Sequence, residues 1–213
     1  MSLIGVVGLA DSGKGTVGDY LVEEYGFKTE SFAKPVKDAT AAIFNWPRHL
    51  LEGNTKQSRI FRETKDEYWS KKLDRDVTPR WAMQIVGTEA CRDGIAPEIW
   101  IHSLEKRVED SVYADFVITD VRFPNEMSYI TSKGGILIQS LREPLPEWYN
   151  IAYKQNANGD DAVDFMGMHF SNIHISEWAH IGYPVDFVIH NNGTLEELKE
   201  QVDNVMNCVY KNV

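Results

Sequence analysis

Nine consecutive residues near the start of the chain, Gly8, Leu9, Ala10, Asp11, Ser12, Gly13, Lys14, Gly15 and Thr16, have the types and spacing of a phosphate-binding loop. Glycines at positions 8 and 13 allow a tight turn and the close approach of a phosphate to the backbone. In such a loop successive N–H groups point into a concave nest at a helix N-terminus, where the dipole favours an anion. Lys14 can reach the β- and γ-phosphates of a nucleotide. The motif usually sets a hydroxyl directly after its lysine to hold magnesium; here Gly15 intervenes and Thr16 supplies it. Asp11 is unexpected, because a carboxylate beside a triphosphate repels it. The sequence leaves two roles open for it, pointing away from the loop or contacting the acceptor side.

Phosphoryl transfer asks little covalent work of a protein: the donor phosphates must be cradled, magnesium placed, charge neutralised and the acceptor held in line. Asp120 closes an apolar run and is the candidate magnesium carboxylate, with Arg122 two residues on able to grip a phosphate with both arms of its fork. Between Arg80 and Arg92, Gln84 can read a base edge and Arg80 or Arg92 a monophosphate, while Gly87 and Thr88 are expected to end the helix that carries them. Lys34 and Lys37, on either side of Pro35, are further phosphate candidates. The spacing of His174, Ser176 and Glu177 is too close for a catalytic triad and reads as a polar loop or strand edge.

These side chains need elements to position them. Leu3–Val7 reads as a buried strand before the loop, and Val17, Tyr20 and Leu21 mark one face of a helix after it. Further strands are expected at 27–32, 114–120, 135–141 and 186–190. Helices are expected through Ala41–Phe44, from Pro79, from Pro97 and, behind a Thr194–Glu197 capping box, along Leu195, Leu198, Val202, Val205, Met206 and Val209. Apolar strands alternating with helices imply an α/β fold with a parallel sheet covered on both faces. One domain is expected over 1–213, with a polar helical insertion or flap at 48–76 and a lid or long loop at about 143–172, where Asn156, Asn158, Gly159, Asp160 and Asp161 cluster.

Composition narrows the function. The net charge of −10 argues against broad contact with a nucleic-acid backbone. A local excess between Trp46 and Arg80, nine basic residues against six acidic, suits a compact anion instead. No apolar run approaches the ~20 residues of a membrane span. Cys91 and Cys208 form no metal or disulfide pattern and read as buried small residues in a reducing, cytoplasmic setting.

The loop with its GKGT ending is similar to that of nucleoside monophosphate kinases. With the segments 35–38, 80–92, 117–126, 174–177 and 189–197 in this order, the chain resembles the bacteriophage deoxynucleoside monophosphate kinases. The resemblance implies a P-loop NTPase fold of the nucleoside monophosphate kinase kind, with a five-stranded parallel sheet flanked by helices and a lid. It implies transfer of the γ-phosphate of ATP to a deoxynucleoside monophosphate, a need for Mg2+, a tendency to form homodimers, and a cytoplasmic place, that of the host cell if the chain is phage-encoded. It sets Gly8, Asp11, Ser12, Gly13, Lys14, Gly15 and Thr16 on ATP, and Asp120 and Arg122 at the active-site rim. Lys34, Arg80, Gln84, Thr88, Glu89 and Arg92 fall near the acceptor, and Arg142 at the start of the lid, where such kinases keep arginines that clamp the transferring group. Two other readings share the loop: a kinase acting on a hydroxymethylated base within DNA, and a non-enzymatic nucleotide switch.

Overall fold

The apolar runs become five strands: β1 (Ser2–Val7), β2 (Lys28–Glu30), β3 (Asp115–Ile118), β4 (Ile136–Leu141) and β5 (Phe187–His190). The computed structural model describes residues 2–113, 115–159 and 164–211. All four strand pairings are parallel, and the sheet order is β2-β3-β1-β4-β5. Parallel strands need crossover connections, which the helices α1 (Lys14–Tyr25) and α7 (Pro124–Ser132) provide. The last helix, α10 (Leu195–Lys211), packs beside α1.

Alternation along β1 divides the core. Ile4 and Val6 join Val17 and Leu21 of α1 and Leu198, Val202, Val205 and Met206 of α10 in one buried cluster. The α10 stripe is thus as the spacing predicts, except that its first member, Leu195, is about half exposed. The capping box is present: Glu197 Oε2 accepts from Thr194 N, and Thr194 Oγ1 from Glu197 N. α7 lies against β1 and β4, with Ile130 packed on Gly5 and Gly135.

Because the strands run the same way, their carboxyl ends share one rim. The chain leaves β1 toward one edge of the sheet and reaches β4 and β5 on the other, so the switch in direction falls beside β1, where open α/β sheets bind their ligands.

The chain divides into two compact units, Met1–Ser31 with Asp110–Val213, which holds the sheet, and Phe32–Glu109. The second is helical: α2 (Lys34–Phe44), a 3-10 turn (Arg48–Leu51), α3 (Lys56–Glu63), α4 (Glu67–Leu73), α5 (Pro79–Ile85), a π-helix (Val86–Asp93) and α6 (Ile99–Glu109). It extends beyond 48–76 on both sides. Its core is aromatic. Phe44 stacks on Trp46 with centroids 4.5 Å apart, and both indoles reach acceptors, Trp46 on Asp66 Oδ2 and Trp69 on the Phe44 carbonyl. Trp81 packs here too, with Arg75 over its ring.

Three expectations need correction. The helix carrying Gln84 does not stop at Gly87–Thr88; it widens into the π-helix, because the Trp100 indole donates to the Gly87 carbonyl at 2.7 Å and draws it out of the regular ladder. The irregular stretch after Glu143 is largely helical, with α8 (Tyr149–Asn158) and α9 (Phe165–His169) closing a small core of Ala152, Met166 and Ile181. Asp160 and Asp161 lie outside the described residues. The cysteines are not buried: Cys91 is half-buried and Cys208 exposed.

Candidate active site

Each strand of the sheet unit delivers a polar group to the rim: the loop after β1, Ser31 after β2, Asp120 after β3, Arg142 after β4 and Asn191 after β5. The loop is held rigidly from the side. The Ser12 carbonyl accepts from Ser140 Oγ at 2.7 Å and from Asn191 Nδ2 at 3.0 Å. This grip explains the two glycines. At Gly8, with φ near 147°, a Cβ would stand 2.4 Å from the Ser140 carbonyl oxygen; at Gly13, with φ near 99°, it would stand 2.3 Å from Asn191 Nδ2. Backbone conformation also accounts for Asp11. It is exposed with φ near 58°, a left-handed conformation that aspartate tolerates better than most side chains. A Cβ on Gly15 would meet nothing within 4 Å, so packing does not require glycine there.

The loop feeds straight into α1, and among the described residues no side chain caps that helix. Its first N–H groups are therefore available to an anion. Lys14 bends back over the loop and donates to the carbonyls of Gly8 at 2.9 Å and Leu9 at 2.6 Å. Burial, reinforced by the Arg122 guanidinium, pushes its pKa down to about 8. The Ser12 hydroxyl is buried without a hydrogen-bond partner among the described residues. An orphan hydroxyl, an uncapped helix start and a lysine folded over the loop together fit a phosphate chain.

Asp120 is half-buried, and its Oδ2 accepts from Ser31 Oγ at 2.7 Å. Gly18 of α1 packs on Thr119, which fixes the first turns of α1 against the residue before Asp120. Thr16, in the first of those turns, is exposed. Hydroxyl and carboxylate are the hard oxygen donors that suit Mg2+. Arg122 is no stray surface arginine. It donates to the Ser176 carbonyl at 3.0 Å and Glu177 Oε1 at 2.9 Å, and its own backbone N–H is held by the buried Glu126 carboxylate at 2.7 Å. Glu177 raises the Arg122 pKa against the cost of burial. Arg142 is exposed beside a cleft of about 420 Å³, whose wall includes Leu9, Asp11, Pro146, Trp148 and Glu177.

The acceptor candidates lie in the helical unit. Arg80 pairs with Glu63 at 2.5 Å, Gln84 and Thr88 are half-buried, and Lys34 and Glu89 are exposed. Arg92 is 7% exposed and donates to the Pro97 carbonyl, so part of its fork is committed to the turn before α6. Lys37 pairs with Glu52, and Arg48 bridges Asp38 and Glu52.

Sequence reasoning missed Ser31 and Ser140, read Asn191 only as a turn residue, and read Glu177 as part of a polar loop or strand edge. A signal existed for Ser140, a hydroxyl inside an apolar strand.

A parallel sheet with a glycine loop on its first strand, a lysine in that loop and a carboxylate and arginine at the same rim define a P-loop kinase. The chain is 31% identical, over 98% of its own length and 96% of the relative's, to a protein of Acanthamoeba polyphaga mimivirus described as a deoxynucleotide monophosphate kinase. It belongs to the deoxynucleotide monophosphate kinase family. A 65-residue stretch, 30% of this chain and 26% of the relative, is 37% identical to the deoxynucleoside-5'-monophosphate kinase of Escherichia phage T5. No family model matches the chain. Among solved structures it is similar to dephospho-CoA kinase from Campylobacter jejuni, with 16% identity, TM-score 0.46 and coverage of 99% of this chain and 98% of that one, too distant to bear on function.

Proposed function

We propose that the chain transfers the γ-phosphoryl group of ATP to a deoxynucleoside monophosphate, giving the diphosphate. The observation that carries this reading is Lys14 folded back over its own loop at the start of a helix that no side chain among the described residues caps, on the rim that also carries Asp120 and Arg122. The loop N–H groups and Ser12 seat the donor phosphates. Thr16 and Asp120 hold Mg2+, which when bound neutralises charge on the phosphates. Lys14 and Arg122 stabilise the charge that spreads over the transferring group, a contribution worth several kcal/mol in a site shielded from water. Arg142 lies at the edge of the cleft, placed to clamp the same group.

In the helical unit, Arg80 and Gln84 supply the acceptor's phosphate and base contacts, with Lys34, Thr88, Glu89 and Arg92 in support. Arg80→Ala is expected to raise the acceptor KM roughly tenfold to a hundredfold, the worth of one charge-assisted contact, and to leave the ATP KM within about twofold. Loss of the exposed Arg80–Glu63 pair should cost little stability. Steady-state kinetics with each substrate varied in turn checks this, and an equal rise in both constants would refute the division of roles.

A further inference from the structure

Glu177 lines the cleft of about 420 Å³ beside the phosphate loop, together with Asp11 and Ser12 of the loop itself. A carboxylate there repels the phosphates that the loop is fitted to take, so its presence asks for a compensating use. Arg122 supplies one. Its Nη1 donates to Glu177 Oε1 at 2.9 Å and to the Ser176 carbonyl at 3.0 Å. Those bonds occupy both hydrogens of Nη1. The remaining edge of the fork, Nε with Nη2, has no hydrogen-bond partner among the described residues, and the Arg122 side chain is 34% exposed. Such an edge can meet two oxygens of one phosphate side by side.

The turn that presents these acceptors is itself fixed. It is a 3-10 turn, Ile175–Glu177, closed by the Glu177 N–H on the His174 carbonyl at 2.9 Å and by the Ser176 N–H on His174 Nδ1 at 3.2 Å. Just beyond it, Asn156 Nδ2 of α8 donates to the carbonyls of Trp178 at 3.1 Å and Ile181 at 2.8 Å. On the arginine's side, the Glu126 carboxylate holds the Arg122 backbone N–H. Both partners of the pair are therefore anchored through their own backbones. A guanidinium already held at one end loses less freedom when an anion meets its other edge.

We propose that Glu177 is a positioning residue for phosphoryl transfer: with the Ser176 carbonyl it fixes Nη1 of Arg122 and leaves the Nε–Nη2 edge presented to the transferring phosphoryl group. The inference rests on the kinase reading for its ligand. Glu177 acts through Arg122 and not on the substrate. Its repulsion of the phosphates weakens binding of the ground state, while the fixed fork acts where charge grows in the transition state.

The test has two arms. The first is a kinetic cycle of variants. Arg122→Ala is expected to lower kcat about 100-fold, the usual worth of one preorganised donor. Glu177→Ala should lower kcat about tenfold, because the fork remains and only its aim is lost, with the ATP KM unchanged or lower as the repulsion goes. Added to Arg122→Ala, it should change kcat by less than about twofold, since its effect passes through the arginine. Glu177→Gln keeps an acceptor for Nη1 and should recover most of the loss. Wild-type kcat in Glu177→Ala, losses that simply add in the double variant, or a Gln variant as impaired as the Ala variant would overturn the proposal. The second arm follows the Arg122 guanidinium of the wild-type protein by 15N NMR. Its Nη1 and Nη2 signals should be resolved, as hindered rotation requires, and should merge in Glu177→Ala. Resolved signals without phosphorylation of any acceptor would keep the held fork and sink the kinase reading. Phosphorylation with merged signals in the wild type would sink Glu177 and keep the kinase.

Discussion

Lys14→Ala is expected to lower turnover at least a thousandfold while the protein stays folded. Both halves follow from the position of the ammonium. It is the one loop side chain that can follow charge onto the transferring group, and electrostatic stabilisation of that kind commonly lowers the barrier of such a reaction more than any other single effect. It contributes nothing to the core and is held at a cost, since its pKa in the folded chain, about 8, lies below the ordinary lysine value. The unfolded chain binds the proton more tightly, so at pH 7 the buried charge opposes folding. Its bonds to the Gly8 and Leu9 carbonyls offset part of that cost. A melting temperature unchanged or slightly raised, with turnover lost, is the expected pair of results. Near-normal turnover would remove the loop from the chemistry, and a collapsed fold would make Lys14 a structural residue.

Asp120→Asn is expected to lower turnover about a hundredfold and to move half-saturation by Mg2+ to much higher concentration. The amide keeps an oxygen that can accept from Ser31 Oγ, so the link between the ends of β2 and β3 survives. What it loses is the charge that draws a divalent cation. Asp120→Ala removes both and should also lower the melting temperature. Ser31→Ala should have a smaller effect on turnover than either, because Ser31 orients the carboxylate and carries no charge itself. A magnesium titration of the two Asp120 variants checks this. An Asn variant with an unaltered Mg2+ dependence would assign Asp120 to structure alone.

The parts of this molecule legible in its sequence are those governed by neighbours along the chain. The strand before the loop, the loop's glycines, the Thr194–Glu197 cap and the α10 stripe each follow from spacing over a few residues, and each is present. The chain read as alternating strands and helices does form a parallel five-stranded sheet. What was not legible depends on partners far away. Ser31 meets Asp120 across 89 positions, Ser140 meets Ser12 across 128, and Asn191 meets Ser12 across 179. No periodicity reports such pairs. The π-helix was hidden for the same reason, since the indole that draws out the Gly87 carbonyl sits thirteen residues on. α8 escaped notice because only Ala152 of its side chains is fully buried, too little for an apolar stripe. Glu177 was visible as a carboxylate, and its role became clear only once the fold brought it to Arg122.

The central claim is that this chain phosphorylates a free deoxynucleoside monophosphate at the expense of ATP. The most direct measurement follows labelled γ-phosphate from ATP in the presence of Mg2+, with the four common deoxynucleoside monophosphates, their ribose counterparts and duplex DNA as separate acceptors. The label should appear in at least one deoxynucleoside diphosphate, and Lys14→Ala should abolish the signal. Label found only in DNA, or only in free phosphate with every acceptor, would contradict the account.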